Sequence, residues 1–156
     1  MIRTIGSAQA VSSHSRTSSP SVRYRSSCIV KADGQTPLVA IAELGDNGDF
    51  KAWEESLAAN GDLGPSGERK EFTVSSKGRG VSATRSAAIY LKCDPVDSKI
   101  QVPLNLSITV SGTKRGPSTR ADLAEVALSF AKYAQSSAHC SDPASLPAGP
   151  PNQLRE

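Results

Sequence analysis

Histidine, cysteine and aromatic residues are all sparse in this sequence of 156 residues, and each shortage removes a class of function. There are two histidines, His14 and His139, and three cysteines, Cys28, Cys93 and Cys140. No two cysteines stand in a C-x-x-C pair, so the spacing of a zinc ribbon or a dithiol oxidoreductase is missing. Cys28, Cys93, His139 and Cys140 are the right types for zinc. Adjacent His139 and Cys140 can rarely both face one ion, however, and a metal site is not expected. One Trp, three Phe and three Tyr leave the core to Leu, Ile, Val and Ala. No apolar run approaches the roughly 18 residues of a membrane-spanning helix, so no transmembrane segment is read here. A glycine-rich phosphate loop is missing too.

Acidic residues are lacking from the first 31 positions, which carry Arg3, Arg16, Arg23, Arg25 and Lys31. The net charge of +3 is therefore segregated: a basic tail precedes a slightly acidic body. Such a tail says little about nucleic acid. It has no aromatic interleaving beyond Tyr24, and no helix is basic enough to read a groove, so nucleic acid is not expected as a partner. Residues 1–21, rich in Ser and Arg without apolar periodicity, are expected to be disordered. The same composition fits an organelle transit peptide or a misplaced start. A secretory signal would need an apolar stretch of about 7–15 residues.

What is present is a run of perfect alternation. Over Pro103–Ser111, Leu104, Leu106, Ile108 and Val110 alternate with Asn105, Ser107, Thr109 and Ser111, which specifies a strand with one apolar and one hydroxyl or amide face. Glu71–Ser76 places Phe72 and Val74 on one face. Ser86–Cys93 places Ala87, Ile89, Leu91 and Cys93 on one face and Ala88, Tyr90 and Lys92 on the other. Earlier, Asp33-Gly34 lies between Cys28/Val30 and Val39/Ile41 and predicts a hairpin. With those two residues as the turn, Cys28 opposes Val39 and Val30 opposes Pro37. Pro37 cannot donate to a ladder, which suits a sheet edge.

Two helices are expected. Asp49 can cap the first. Phe50, Trp53 and Leu57 share one face, Glu54 and Glu55 face water, and Asn60-Gly61 stops it. The second follows Pro117, with Ser118 or Thr119 as cap. Its stripe is Leu123, Val126, Ala127, Phe130 and Ala134, with Arg120, Glu125 and Lys132 off it. From Ser141 the chain is Pro-rich and expected to be unstructured. The fold class is α+β: a single domain over 22–140, a two-layer sandwich in the order β-β-α-β-β-β-α. About five antiparallel strands carry helices on one face.

Strand direction then locates particular residues. If the last three strands run up, down and up, Cys93 ends the middle one at the bottom on the apolar face. The last helix runs down and finishes at Cys140. The two can meet as a disulfide; the alternative is a pair of buried thiols. A bridge between residues 47 apart contributes about 4 kcal/mol on the chain-entropy estimate. The same reasoning puts Lys77, Arg79 and Arg85 in one loop at the top, Lys114 and Arg115 in another, and Arg120 in the first turn of the helix. Together they make a candidate anion-binding rim; the alternative is two solvated loops.

Catalysis finds no footing. His14 lies in the tail and His139 at a helix end, so no positioned base for a nucleophile is visible. Glu54-Glu55 and Asp46/Asp49 read as solvated charge. The Asn105-Leu106-Ser107 sequon falls inside a strand and is discounted. No enzyme activity and no cofactor are expected.

The segments KEFTV, SATRSAAIYLKCD, VPLNLSITV and TRADLAEVALSFAKYAQSSAHC resemble those of an uncharacterised actinobacterial cell-envelope protein family, over roughly residues 26–140. The shared motifs are structural, so the resemblance implies fold and an exported or membrane-anchored location rather than a reaction. Residues 1–25 show neither of the leaders usual in that family. The expectation is a non-catalytic extracytoplasmic module of the envelope, whose partner is an anionic envelope component or another protein. The alternatives are a small intracellular accessory subunit with reduced cysteines and, last, an enzyme with an unrecognised site.

Overall fold

A computed structural model describes residues 9–16, 24–31, 38–64, 66–94, 104–112, 119–141 and 145–147. Seven strands form one antiparallel sheet: β1 (Gln9–Arg16), β2 (Arg25–Lys31), β3 (Leu38–Gly45), β4 (Lys70–Ser75), β5 (Gly78–Ser82), β6 (Ser86–Lys92) and β7 (Asn105–Ser111). Their spatial order is β1-β2-β3-β7-β6-β5-β4. Helix α1 (Phe50–Ala59) follows β3, and α2 (Thr119–Ser137) follows β7. The α+β class and the antiparallel sheet are as expected.

Two strands were not expected. β1 lies within the stretch read as a disordered tail and pairs with β2, so the hairpin of β2 and β3 does not form the sheet edge. β5 occupies the stretch read as a loop and pairs with β4 on one side and β6 on the other. Its sequence, Gly-Arg-Gly-Val-Ser, is poor in strand formers. The glycines are nonetheless what the position needs: a β-carbon on Gly80 would stand 2.2 Å from Cζ of Phe72, so the buried Phe72 ring lies directly over the Gly80 backbone. The β2–β3 register also differs by one residue. Cys28 opposes Ala40 and Val30 opposes Leu38; Asp33-Gly34 itself lies outside the described residues. Cys28 thereby shares the core face with Ala40, and it packs partly buried against that core.

The apolar face of β7 does what its alternation requires. Leu104, Leu106, Ile108 and Val110 join Ile89 and Leu91 of β6, Leu38, Ala40, Ala42 and Leu44 around β3, and Phe72 and Val74 of β4 in one cluster. Helix α2 closes it with Leu123, Val126, Ala127 and Ala134. Ala124, Leu128 and Ala131 are buried as well, so the helix is covered over a wider arc than its predicted stripe. Glu125, expected off that stripe, is buried. Leu146 packs against the same cluster, although the segment after Ser141 was expected to stand clear. The Tyr24 hydroxyl is also buried on this side, without a partner at hydrogen-bonding geometry. The Ser26 and Ser137 hydroxyls lie nearby, yet burial still holds the phenol above its usual pKa.

Cys93 and Cys140 form the disulfide expected from strand and helix direction. The helix end that delivers Cys140 is a Schellman turn: the Cys140 N–H donates to Gln135 O, and His139 N–H donates to Ser136 O. The residue at the left-handed position is His139, at φ 57°, where glycine is usual. Replacing it relieves the Cβ strain. His139→Gly is expected to raise stability by about 0.5–1 kcal/mol, less the added entropy of the unfolded glycine. Urea melts of the two proteins under non-reducing conditions check this, and an equal or lower midpoint would contradict it.

Helix α1 overturns the expectation that both helices share one face. Its Trp53 and Leu57 pack with Leu63, Val81 and Ala88, with Phe50 and Tyr90 against them. Ala88 and Tyr90 alternate with the core-facing Ile89 and Leu91, so α1 lies on the opposite side of the sheet from α2. The Trp53 indole N–H donates to Ser107 Oγ at 2.7 Å, which gives the hydroxyl face of β7 its partner. The caps are as read from sequence. Asp49 Oδ1 accepts from Ala52 N at 2.8 Å, and Gly61 takes the left-handed stop at φ 78°. Glu54 does not face water, because it pairs with Arg69 at 3.4 Å with only 13% of its side chain exposed.

Candidate functional site

Among the described residues of the candidate rim, Lys77 and Arg79 do not lie at the same end of the sheet as Arg85. Because β5 is a strand, the chain reverses twice between β4 and β6. Lys77 sits in the β4–β5 turn beside Leu91 and Lys92, whose backbone N–H donates to Lys77 O at 2.9 Å. Arg85 sits at the other end of β6, where its carbonyl accepts from Gly112 N at 2.9 Å. Arg79 is within β5, directly opposite Tyr90. Arg120 falls in the first turn of α2, and Lys114 and Arg115 lie outside the described residues. Lys77 and Arg79 are therefore separated from Arg85 by the length of a strand.

On the α1 side, Lys77 and Arg79 line an open groove of about 740 Å³ with Lys92, Phe50, Tyr90 and Asn105. Each arrives there for a local reason. Arg79, Tyr90 and Lys92 are alternate residues of adjacent strands, pointing away from the main core. Phe50 begins α1 directly after its Asp49 cap. Asn105 pairs with Lys92 across β6 and β7. Thr73, Ser75 and Ser76 form a hydroxyl wall along β4 and its turn.

The floor of the groove is held rigidly. Tyr90 Oη donates to Gly48 O at 2.6 Å and accepts from Asn105 Nδ2 at 3.2 Å. Asn105 Oδ1 accepts from Asn47 Nδ2 at 2.6 Å and from Asn47 N at 3.3 Å. The chain of bonds ties the loop after β3 to β6 and β7, and the buried Asn105 is unavailable as a glycosylation site. Tyr90 meets Phe50 edge-on with centroids 6.1 Å apart and lies 5.5 Å from Trp53. Burial raises the Tyr90 pKa, with the Asp49 and Asp46 carboxylates adding to the effect. Its hydroxyl therefore stays protonated at neutral pH and serves as a fixed donor.

Arg79 lies 4.5 Å over the Phe50 ring and pairs with Glu71 at 2.7 Å. Both members of that pair are more than half exposed or close to it, so the pair orients Arg79 more than it stabilises the fold. Lys92 is exposed and forms no ion pair among the described residues. The groove thus presents three cations, two rings and a row of hydroxyls. Among the described residues no cluster of three or more His, Cys, Asp or Glu is placed to hold a metal, and no helix is long and apolar enough to cross a membrane.

Phe50, Tyr90, Lys92 and Asn105 were not recognised as site residues in the sequence. A signal existed: Tyr90 and Lys92 sit on the face of β6 opposite Ile89 and Leu91. That face looked solvent-bound only because α1 was expected elsewhere. No family model, curated protein or solved structure matches this chain.

Proposed function

We propose that this protein is a non-catalytic module that works outside the cytoplasm and holds an anionic component of the cell envelope in the groove beside α1. The observation that carries the reading is the convergence of Lys77, Arg79 and Lys92 on a rigid aromatic floor. Charge-assisted bonds supply attraction there, and the pre-set rings keep the ordering cost low. The lining offers cations, hydroxyls and amides, which suits recognition better than proton transfer. The buried Cys93–Cys140 bridge supports an oxidising compartment, where such bonds persist.

Charge reversal tests the groove. Lys77→Glu with Lys92→Glu is expected to weaken retention on a phosphate-bearing resin by about tenfold in affinity, ~1.4 kcal/mol. Lys132→Glu, on the exposed side of α2, changes charge on the other side of the sheet and serves as the control. Elution at the same salt for both variants would remove the proposal.

A further inference from the structure

We infer that the half of the sheet face beside α1 binds a second copy of this chain, face to face, about a two-fold axis that runs between β2 and β3 and parallel to them. Helix α1 packs with Leu63, Val81 and Ala88, and its Trp53 reaches β7 at Ser107. The same side of the sheet continues across β3 as Val39, Ile41 and Glu43, paired in that order with Ile29, Ser27 and Arg25 of β2. Thr109 and Ser111 of β7 border them. Ile29, Val39 and Ile41 are half-buried and belong to neither apolar cluster of the molecule. An apolar strip with a charged end has the pattern of a contact surface rather than of a solvated strand face.

The placement of the charges selects the partner. Ile29 and Val39 lie side by side at one end of the strip. Arg25 and Glu43 lie side by side at the other, 3.9 Å apart, with each side chain more than half exposed. A pair so exposed contributes little within one chain, and both members are free to turn. A half-turn about an axis parallel to the strands brings β2 of each copy over β3 of the other without exchanging the ends. Arg25 of each copy then faces Glu43 of the other, Ile29 faces Val39, and Ile41 faces Ser27. A half-turn about an axis across the strands would instead set both charges on Ile29 and Val39, and burying them unpaired is costly. The face is therefore complementary to itself in one orientation, the aligned packing of two sheets about 10 Å apart. A foreign segment would have to carry both charges at one end; a second copy carries them already.

Size sets the strength. Three strands, β2, β3 and β7, span about 14 Å, and five residues along each span about 17 Å. That footprint is well below the roughly 800 Å² per partner of a standard stable interface. The dimer is accordingly weak, with a dissociation constant of about 10–100 µM.

Sedimentation velocity of the full chain tests this, on protein that runs as a monomer on a non-reducing gel, so that no link through Cys28 contributes. The wild type should pass from monomer to dimer as its concentration rises through about 10–100 µM. Arg25→Glu and Glu43→Arg, each made alone, set like charges opposite one another at two symmetric places and should each weaken the dimer by about tenfold or more. The two variants mixed in equal amounts should recover the wild-type affinity to within about threefold, because each supplies the charge that the other lacks. A pair that acted only within one chain could not be rescued by mixing. Ile41→Lys puts a charge at the centre of the strip and should leave monomer throughout, with a circular dichroism spectrum unchanged from wild type because Ile41 belongs to neither core. A wild type that stays monomeric to about 500 µM would overturn the inference and leave the face to a foreign partner. A dimer that neither charge reversal weakens would overturn it too, as would two variants that stay monomeric when mixed.

Discussion

Replacing Cys93 and Cys140 together by alanine is expected to lower the free energy of unfolding by about 4 kcal/mol. The bridge joins residues 47 apart, and its loss frees that whole loop in the unfolded chain. It also joins the end of β6 to the turn after α2, beside the bond from Ser141 N–H to Asp94 O at 2.9 Å. Both cysteines are buried, so the alanines leave small apolar voids that add to the loss. Against a typical total of about 5–15 kcal/mol, the variant should melt at a much lower urea concentration under non-reducing conditions. Reductant should shift the wild type in the same direction and leave the variant unmoved. Thiol titration of unfolded protein should count one thiol, Cys28, before reduction and three after. Three before reduction, with no difference in midpoint, would remove the disulfide, and with it the support for an oxidising compartment. It would favour the alternative of an intracellular subunit with reduced cysteines.

Trp53→Ala carries the other large effect, a loss of about 3–5 kcal/mol. Trp53 is 2% exposed, packs against both Phe50 and Tyr90, and donates its indole N–H to Ser107. Helix α1 has 10 residues, below the roughly 12–15 at which an isolated helix becomes even marginal in water. It persists because this side chain anchors it to the sheet. Trp53→Phe keeps most of the burial and loses the hydrogen bond, so it should cost markedly less. The two variants separate packing from bonding: equal losses would mean that the indole N–H dominates, and a loss under about 1 kcal/mol for Trp53→Ala would mean that α1 is not docked as described. Because α1 carries Phe50 and leads out of the Asp46–Asp49 loop, Trp53→Ala should also loosen one wall of the groove and weaken anion retention at urea concentrations where the fold survives.

Some elements were readable because their cause is local. The alternation of β7 follows from the two-residue repeat of a strand, and the Asp49 cap and Gly61 stop follow from the unpaired groups at helix ends. Even the disulfide could be anticipated, because strand and helix directions alone bring Cys93 and Cys140 to one end. The extra strand between β4 and β6 turns β6 and β7 over relative to β4 but leaves β6 and β7 antiparallel to each other, so that inference survived. Lys77 and Arg79 left the rim, since their place in it depended on residues 77–85 being one loop.

Neither β5 nor the seat of α1 could be decided locally. Gly78 and Gly80 argue against a strand on propensity, and they are favourable only once Phe72 and Leu91 need their space. The stripe of Phe50, Trp53 and Leu57 says that α1 has an apolar side but not which sheet face receives it. The hydroxyl face of β7 looked solvated because Ser107 carries no sign of the indole that reaches it. A sequence pattern records how often a side chain turns inward along its own segment. It therefore determined, without help, most of the strands and the helix limits, and it brought Cys93 and Cys140 to one end. Which surface covers which is a relation between segments distant in the chain. That relation, set by shape and by hydrogen-bonding groups that meet only after folding, decided the extra strand, the layer on which α1 rests and the groove they enclose.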